Sequence, residues 1–447
     1  MMGKQRRSEQ LFYHFRLEDH VPSDHPLRAL DAVLNFDGVR AVLVNYYSHT
    51  GRPSIDPELM LRMLLIGYAY GIRSERRLCE EVHVNLAYRW FCRLGLEGSV
   101  PDRSTFSKNR YRRFRESEVY RVLFEGIVEQ CRNAGLVPGE GFAVDGSFVH
   151  GDARRDRRVE SVEALRKAGS SARPVREYLE ALDADHPAHD GHAKYLSATD
   201  PAAAWNTKEG LGKFGYFTNY LVDTENAVIV DVEATPARLA QEIKAPKTML
   251  QRVEGKHQLK PERLAADNAY GTGPFLAWLQ ERAVTAHIRV RDHQKISGLL
   301  PREAFTYDAL HNHYVCPQGK VLKYRTSVAA TRIHTYRAKS RECRRCPLKQ
   351  QCTRAPQRSL SVPFDEAARL RTAALQNTEG FQQSRRLRRK VEMLFAHMKQ
   401  QLRFTRLKLR GLGGVAEEFL MVATVQNLRR LSRMRPPDIP KLCRAVS

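Results

Sequence analysis

The chain has 447 residues, 42% hydrophobic and 28% charged, with 74 Lys and Arg against 50 Asp and Glu and a formal net charge of +24. At about 150 residues per domain the length suggests two or three domains, and the apolar share excludes wholesale disorder. So large a positive excess on a folding chain implies a polyanionic partner, most commonly nucleic acid, over charge carried for solubility alone. No apolar run of bilayer length occurs, since the nearest stretch, Leu59 to Ile72, is short and broken by Arg62, so no membrane partner is expected. Met1 to Arg7 is basic without an apolar run after it, so no signal peptide and a reducing, cytoplasmic location are expected.

Residues 1–135 read as helical. Pro57 to Gly71 carries Leu59, Met60, Met63, Leu64, Ile66 and Tyr70 at helical spacing, with Asp56 as N-cap and proline at the first helical position. Ser74 opens a second helix, Asn85 to Leu94 forms a third, and Ser104 or Thr105 caps a fourth that carries Lys108, Arg110, Arg112, Arg113 and Arg115. Short helices ending in a basic one fit either a helix-turn-helix-like DNA-binding module or a bundle with a solvated basic face.

From Gly141 the period changes. Phe142 to Val144 read as a buried strand running into Asp145, and Arg154 to His192 as a flexible insertion or helical excursion. Phe214 to Val222 and Val228 to Val232 form a hairpin around Asp223 to Asn226. Ala237 to Val253 is a helix, Arg263 to Ala266 a strand ending at Asp267, Pro274 to Arg282 a helix and Val284 to Val290 a strand. This order predicts an α/β domain. Glu379 to Arg403 is a long helix and Val415 to Ser432 another, with Gly411 to Gly414 as a hinge between them. The expected organisation is 1–135 helical, 136–290 α/β, 291–370 a basic insertion holding cysteines, and 371–447 the closing helices.

The chemistry rests on three acids. Asp145 and Asp267 interrupt or end apolar strands, where a carboxylate is costly unless paired or bound to metal. Glu392 lies in a segment, Phe381 to Arg410, with ten Lys and Arg and no other acid. Three carboxylates from two strands and a helix make an oxygen cage for Mg²⁺ or Mn²⁺, and two such ions clamp an in-line phosphoryl displacement. Singly, each Asp also reads as a turn cap, and Glu392 as a surface partner of Arg388 one turn away. Arg388 and Lys399 share the face of Glu392, placed to hold phosphates.

Cys316, Cys343, Cys346 and Cys352 give four thiols with one Cys-x2-Cys pair, a set that suits structural Zn²⁺; His311 and His313 are alternative ligands for one position. The other reading is reduced thiols in a small insertion. Between Thr331 and Arg358 nine Lys and Arg face one acid, so this segment is expected to touch DNA. Cys79, Cys92, Cys131 and Cys443 read as ordinary buried or free thiols. His186, His189 and His192 with Asp183, Asp185 and Asp190 read as solvated loop, and Asp200, Asp223 and Asp231 as turn or cap residues.

The ordered set RPSIDPELMLRMLLIGYAYGIRSERRL, PDRSTFSKNRYR, AVDGSFVHG, SATDPAAAW, GYFTNYLVDTENAVIVDV, ADNAYGTG and RRLRRKVEMLFAHMKQQLRFTRLKLRG, over residues 10–432, resembles bacterial insertion-sequence transposases of the DDE class. That resemblance implies an RNase H-like α/β catalytic domain with an all-α N-terminal domain. It implies catalysis at Asp145, Asp267 and Glu392 with two Mg²⁺ or Mn²⁺ ions. It also implies cleavage and strand transfer on double-stranded DNA, both terminal inverted repeats and target, by a homodimer on DNA in the nucleoid. The family's helix motif of Tyr, Arg, Glu and Lys is matched by Arg388, Glu392 and Lys399, while Arg385 replaces the tyrosine. Arg385, Arg388, Arg389 and Lys399, with Lys108, Arg110, Arg112 and Arg113, are the expected DNA contacts. The rival readings are a nuclease that cuts without joining, and a non-catalytic DNA-binding derivative.

Overall fold

A computed structural model of the chain describes residues 15–434 apart from 49, 51–53, 185–192, 194, 208–209 and 291–297. The His186, His189 and His192 tract and Cys443 lie outside the described residues. The chain divides into two compact units, neither continuous in sequence: residues 1–138, 145–260 and 390–447 form the first, and 139–144 with 261–389 the second.

The first unit begins with eight helices: α1 (Leu17–His20), α2 (Pro26–Val33), α3 (Val39–Leu43), α4 (Pro57–Ala69), α5 (Glu75–Val84), α6 (Leu86–Phe91), α7 (Arg103–Asn109) and α8 (Val119–Asn133). Short polar side chains start several of them. Asp56 accepts the Glu58 amide at 2.7 Å and Ser74 that of Arg77, satisfying N–H groups that a first turn leaves unpaired. The fourth predicted helix is capped two or three residues earlier than expected: Asp102, not Ser104 or Thr105, is the cap and accepts the Ser104 amide at 2.8 Å. From Met60 to Ala69 every residue of α4 is buried. Arg62 is tolerated there because Asp31, Glu58 and the Phe91 carbonyl take its guanidinium at 2.7–2.9 Å, and a buried cation is stable only when so paired.

The excursion between the β-hairpin and the first strand is helical. β2 (Arg158–Val159), α9 (Val162–Lys167) and α10 (Arg173–Asp183) precede β3 (Leu196–Ser197), which pairs with β2. β4 (Ala204–Asn206), β5 (Lys213–Asp223) and β6 (Ile229–Pro236) pair antiparallel in sequence order, and α11 (Leu239–His257) packs on β5 and β6. Asp223 is the expected turn residue, accepting the Glu225 and Asn226 amides. α17 (Gly411–Met434) is buried on nearly all sides against α2, α4, α8, α10 and β6. The expected hinge Gly411 to Gly414 is instead the first turn of α17. A Cβ on Gly413 would stand 2.9 Å from the Arg115 guanidinium and one on Gly414 3.0 Å from Leu409, so the glycines allow close packing rather than bending.

Two other expected turn residues are core groups. Asp231 is buried between Arg121 at 2.5 Å and Arg252 at 3.2 Å. Asp200 is fully buried and accepts the Tyr216 hydroxyl at 2.6 Å and the Gly411 amide at 3.0 Å. Burial pushes the Asp200 carboxyl up to about 6, against the pull of Tyr216. The folded state therefore holds this proton more tightly than the unfolded chain, and stability falls as pH rises from about 4 to about 6. Asp200→Asn is expected to remove that slope. Thermal melts from about pH 4 to 7 should show the variant gaining on the parent as pH rises; parallel curves would contradict this.

β1 (Gly141–His150) is shared, its first residues in the second unit and those from Asp145 onward in the first. In the second unit β1 pairs parallel with β7 (Arg263–Ala266), and β7 parallel with β8 (Thr285–Ile288). Parallel strands are buried on both faces and read as continuous apolar runs, which is what Phe142 to Val144 and Leu264 to Ala266 are. α12 (Gly273–Glu281) connects β7 to β8.

Residues 298–363, within the segment 291–370 expected as a basic insertion holding cysteines, build a second sheet. β9 (Thr306–Asp308), β10 (His313–Val315), β11 (Val321–Val328), β12 (Ile333–Arg337) and β13 (Ser359–Pro363) pair antiparallel in sequence order. The small helices α13 (Ser340–Arg344) and α14 (Lys349–Cys352) lie between β12 and β13. Phe305, Tyr314, Leu322, Tyr336, Leu360 and Val362 form its core, with Cys316, Cys343 and Cys352 packed against it. α15 (Glu366–Ala374) and the start of α16 (Glu379–Gln400) complete this unit.

Candidate active site

Apolar side chains carry β1 and β7 as far as the last register pair of their parallel ladder, Val144↔Ala266. The next residue on each chain is an aspartate, Asp145 and Asp267. The two carboxylates are held alike: Asp145 Oδ1 accepts the Gly146 amide at 2.9 Å, and Asp267 Oδ1 accepts the Asn268 amide. Asp145 is half-buried and Asp267 exposed.

Glu392 lies in α16. Val391, Phe395 and Met398 bury one face of that helix, with the Phe395 ring 4.8 Å from that of Tyr220 and Met398 Sδ accepting the Tyr220 hydroxyl at 3.6 Å. Helical periodicity then turns Arg385, Arg389 and Glu392 outward as one stripe. All three are exposed, with Arg388 and Lys399 half-buried beside it. Arg385 occupies the position where the resembling family has tyrosine.

Of the other expected DNA contacts, Lys108 and Arg112 are exposed and Arg113 is half-buried. Arg113 donates to Ser54 Oγ and Asn109 Oδ1 and lies over the Tyr47 ring. Arg110 is different. It is 5% exposed, 3.1 Å from Glu75 and 2.8 Å from the Tyr68 hydroxyl, so it is a core cation rather than a surface contact.

A basic groove went unanticipated. Lys390, His397, Arg429, Arg430 and Arg433 line a cavity of about 530 Å³ along α16 and α17 in the first unit. Lys390 donates to the Thr224 and Glu225 carbonyls at 2.6 and 2.8 Å, and the Arg429 guanidinium meets His397 Nε2 at 3.2 Å. Burial, then the charges of Arg429, Arg433 and Arg430, push the His397 imidazole down to about 4, so it stays neutral near pH 7 and adds no charge to the groove. Its residues come from two helices and the turn at Glu225–Ala227, and in the sequence only the density of arginines at 429–433 points to it.

Cys316, Cys343 and Cys352 pack against the core of the second sheet. Cys316 Sγ accepts the Lys320 amide at 3.3 Å and Cys343 Sγ the Arg358 amide at 3.5 Å. Burial and the neighbouring sulfurs of Cys343, Cys346 and Cys316 push the Cys352 thiol up, against the pull of Arg358. His311 and His313, expected as alternative ligands to this set, instead converge on Asp308. Among the described residues, Asp308, His311 and His313 are the one group of three or more such side chains whose ligand atoms all lie within 4.8 Å of one another. Cys79, Cys92 and Cys131 are buried free thiols. No helix among the described residues is long and apolar enough to cross a membrane.

Residues 15–112 match a transposase domain of the DUF772 family, and residues 315–432 match a transposase DDE domain. The second match ends beyond Glu392 and spans the cysteine set. Among solved structures, the chain is similar to a piggyBac transposase in a synaptic complex with hairpin DNA, at 11% identity and a TM-score of 0.35, covering 90% of this chain and 72% of that one. At that TM-score the likeness fixes neither fold nor partner, and the two domain matches carry the assignment. Two stretches of the chain thus carry transposase domains, the second of the DDE class.

Proposed function

We propose that the protein cuts the ends of a mobile element and joins them to target DNA, through Asp145, Asp267 and Glu392 in an RNase H-like catalytic domain. The observation that supports this most is the pair of parallel strands whose ladder ends at Val144↔Ala266 and continues on both chains with an aspartate held by the following amide. Hard carboxylate oxygens from those strands and from α16 fit Mg²⁺ or Mn²⁺. Two such ions, when bound, supply Lewis-acid stabilisation to the attacking and leaving oxygens of a phosphoryl displacement.

The chain's own groups orient the reactants. The exposed stripe of Arg385 and Arg389 holds backbone phosphates beside Glu392, with Arg388 and Lys399 flanking. In cleavage, a water oxygen forms a bond to phosphorus, the bond to the 3′ oxygen breaks, and the element end leaves as a 3′-OH. In joining, that 3′-OH attacks a target phosphodiester and expels the target's own 3′ oxygen. The balance closes without a covalent protein–DNA intermediate. Lys108, Arg112 and Arg113 in the helical N-terminal region, together with the basic groove along α16 and α17, extend the track for double-stranded DNA, and pairing two ends calls for a homodimer on DNA.

The test is a labelled duplex carrying the element's terminal repeat, incubated with Mg²⁺ and target DNA. Nicked and joined products are expected; nicking alone would favour a nuclease of this fold, and neither product a non-catalytic binder. Binding is expected to weaken at least about a hundredfold between roughly 50 and 200 mM salt, as several phosphate contacts release counterions. Filter binding across that range checks it, and a flat response would refute a phosphate track.

In this reading the four cysteines would close on a structural Zn²⁺ ion when it binds; in the structure no three of their thiols lie within 4.8 Å of one another. The amide donors to Cys316 and Cys343 stabilise thiolates, as outer-shell donors do at thiolate sites. Titrating metal-free protein with Co²⁺ should give thiolate-to-cobalt charge-transfer bands that Cys343→Ser weakens; their absence would leave the cysteines as reduced thiols.

A further inference from the structure

We propose that Asp308, His311 and His313 form a second metal site in the sheet unit, distinct from the cysteine set and suited to Zn²⁺ with one coordination position open. The site does not depend on the transposition reading. It is built by the β9–β10 hairpin. Asp308 ends β9 and sits opposite His313, the first residue of β10, in the antiparallel register. Three residues after Asp308, His311 lies in the connecting loop, where Asn312 takes a left-handed backbone with φ of 47°.

The loop is held before any metal arrives. Asp308 Oδ1 accepts the Leu310 and His311 amides at 3.0 and 3.2 Å. Asn312 Oδ1 accepts the hydroxyls of Tyr307 at 3.0 Å and Tyr336 at 2.8 Å, and Tyr336 belongs to the sheet core. With Oδ1 occupied by the backbone, Oδ2 faces the imidazoles. His311 Nδ1 is 2.8 Å from it and His313 Nε2 3.6 Å, with the two rings 5.6 Å apart.

Those spacings match a coordination sphere. Zinc–ligand bonds of about 2.0–2.1 Å in a tetrahedron put neighbouring ligand atoms about 3.3 Å apart, and 2.8 and 3.6 Å bracket that value. An aspartate–histidine ion pair would need one ring; here two converge on the same oxygen. Two neutral imidazoles and a carboxylate are the donor types that Zn²⁺ accepts, and three protein ligands leave a position open. His313 and His311 line a cavity of about 680 Å³ that also carries Lys320, Lys323 and Lys339. These ammonium groups disfavour a bare dication and favour an anionic oxygen in the open position.

The experiment titrates the full-length, metal-free protein with Co²⁺ and Zn²⁺. Cobalt on thiolates gives intense charge-transfer bands, while cobalt on carboxylate and imidazole gives only weak visible bands. Asp308→Asn keeps the oxygen that receives the Leu310 and His311 amides but removes the anionic ligand, so the loop should persist; far-ultraviolet circular dichroism checks this. Asp308→Asn and His313→Gln are each expected to lower bound metal by about one equivalent and leave the charge-transfer bands intact, and Cys343→Ser to do the converse. Unchanged stoichiometry in both hairpin variants would overturn the site. Loss of charge-transfer intensity in those variants would also overturn it, because the histidines would then be ligands of a single mixed site with the cysteines.

Discussion

Glu392→Gln is expected to leave the protein folded and able to bind element ends, and to slow both strand cleavage and joining by about a hundred- to a thousandfold, the scale seen when one preorganised electrostatic group is lost from an active site. The substitution keeps length and volume and removes a charge. Glu392 is exposed on α16, off the face buried by Val391, Phe395 and Met398, so the amide disturbs no apolar packing. Asp267→Asn should behave alike, since Asp267 is exposed and the amide oxygen can still accept the Asn268 N–H. Asp145→Asn keeps the acceptor for Gly146 in the same way. The proposed reading makes the three acids one ligand set, and on it double variants should be scarcely slower than single ones. Single-turnover assays on a labelled end separate the outcomes. Full cleavage by Glu392→Gln would remove Glu392 from the reaction, while lost binding would make it a DNA contact or a folding residue. Additive losses in double variants would argue against a shared site.

Signals in the sequence are legible where the contacts behind them are local. Asp56 and Ser74 cap their helices because a short polar side chain reaches a backbone amide two or three residues on, and the hairpin at Asp223 closes by the same means. The apolar runs before Asp145 and Asp267 fold as parallel strands, which are buried on both faces and so read as unbroken apolar runs. The readings that changed depend on partners far along the chain. Asp200 looks like a turn residue until Gly411, more than two hundred positions on, donates to it. Asp231 is a core acid because Arg121 and Arg252 reach it, and Arg110 leaves the surface because Glu75 and Tyr68 receive it. The sheet holding the cysteines gave little signal. β9 and β10 have three residues each, and β11 is exposed from Lys323 to Val328, so neither alternation nor apolar content marks the strands. The convergence of His311 and His313 on Asp308 follows from hairpin register, which is not legible until the strands are known.

Glu418→Ala is expected to be the most destabilising single substitution proposed for the first unit, costing about 3–5 kcal/mol, as removal of one partner from a buried ion pair does. Glu418 is 1% exposed within α17. One carboxylate oxygen pairs with the Arg73 guanidinium and lies 3.3 Å from the Tyr68 hydroxyl. The other accepts the amides of Lys408 and Leu409 at 2.7 and 3.0 Å. Alanine therefore strands a cation, a hydroxyl and two backbone donors at once. Arg73 cannot easily escape, because its guanidinium lies 4.2 Å from the Phe404 ring centroid and 5.0 Å from that of Tyr68. Tyr68 in turn is bound by Arg110, which pairs with Glu75, so the loss reaches α5 and the π-helical turn at Arg110–Phe114. A melting temperature lower by on the order of 10 °C is expected. Glu418→Gln should recover only part of it: its one amide oxygen can still take the Lys408 and Leu409 N–H groups, but its NH2 then faces Arg73 and Tyr68, and the guanidinium loses its acceptor. A drop of only a degree or two for alanine would mean that water replaces the carboxylate, and that the fit of Phe404 and Leu409 around α17, rather than this acid, holds the segment after α16 in place.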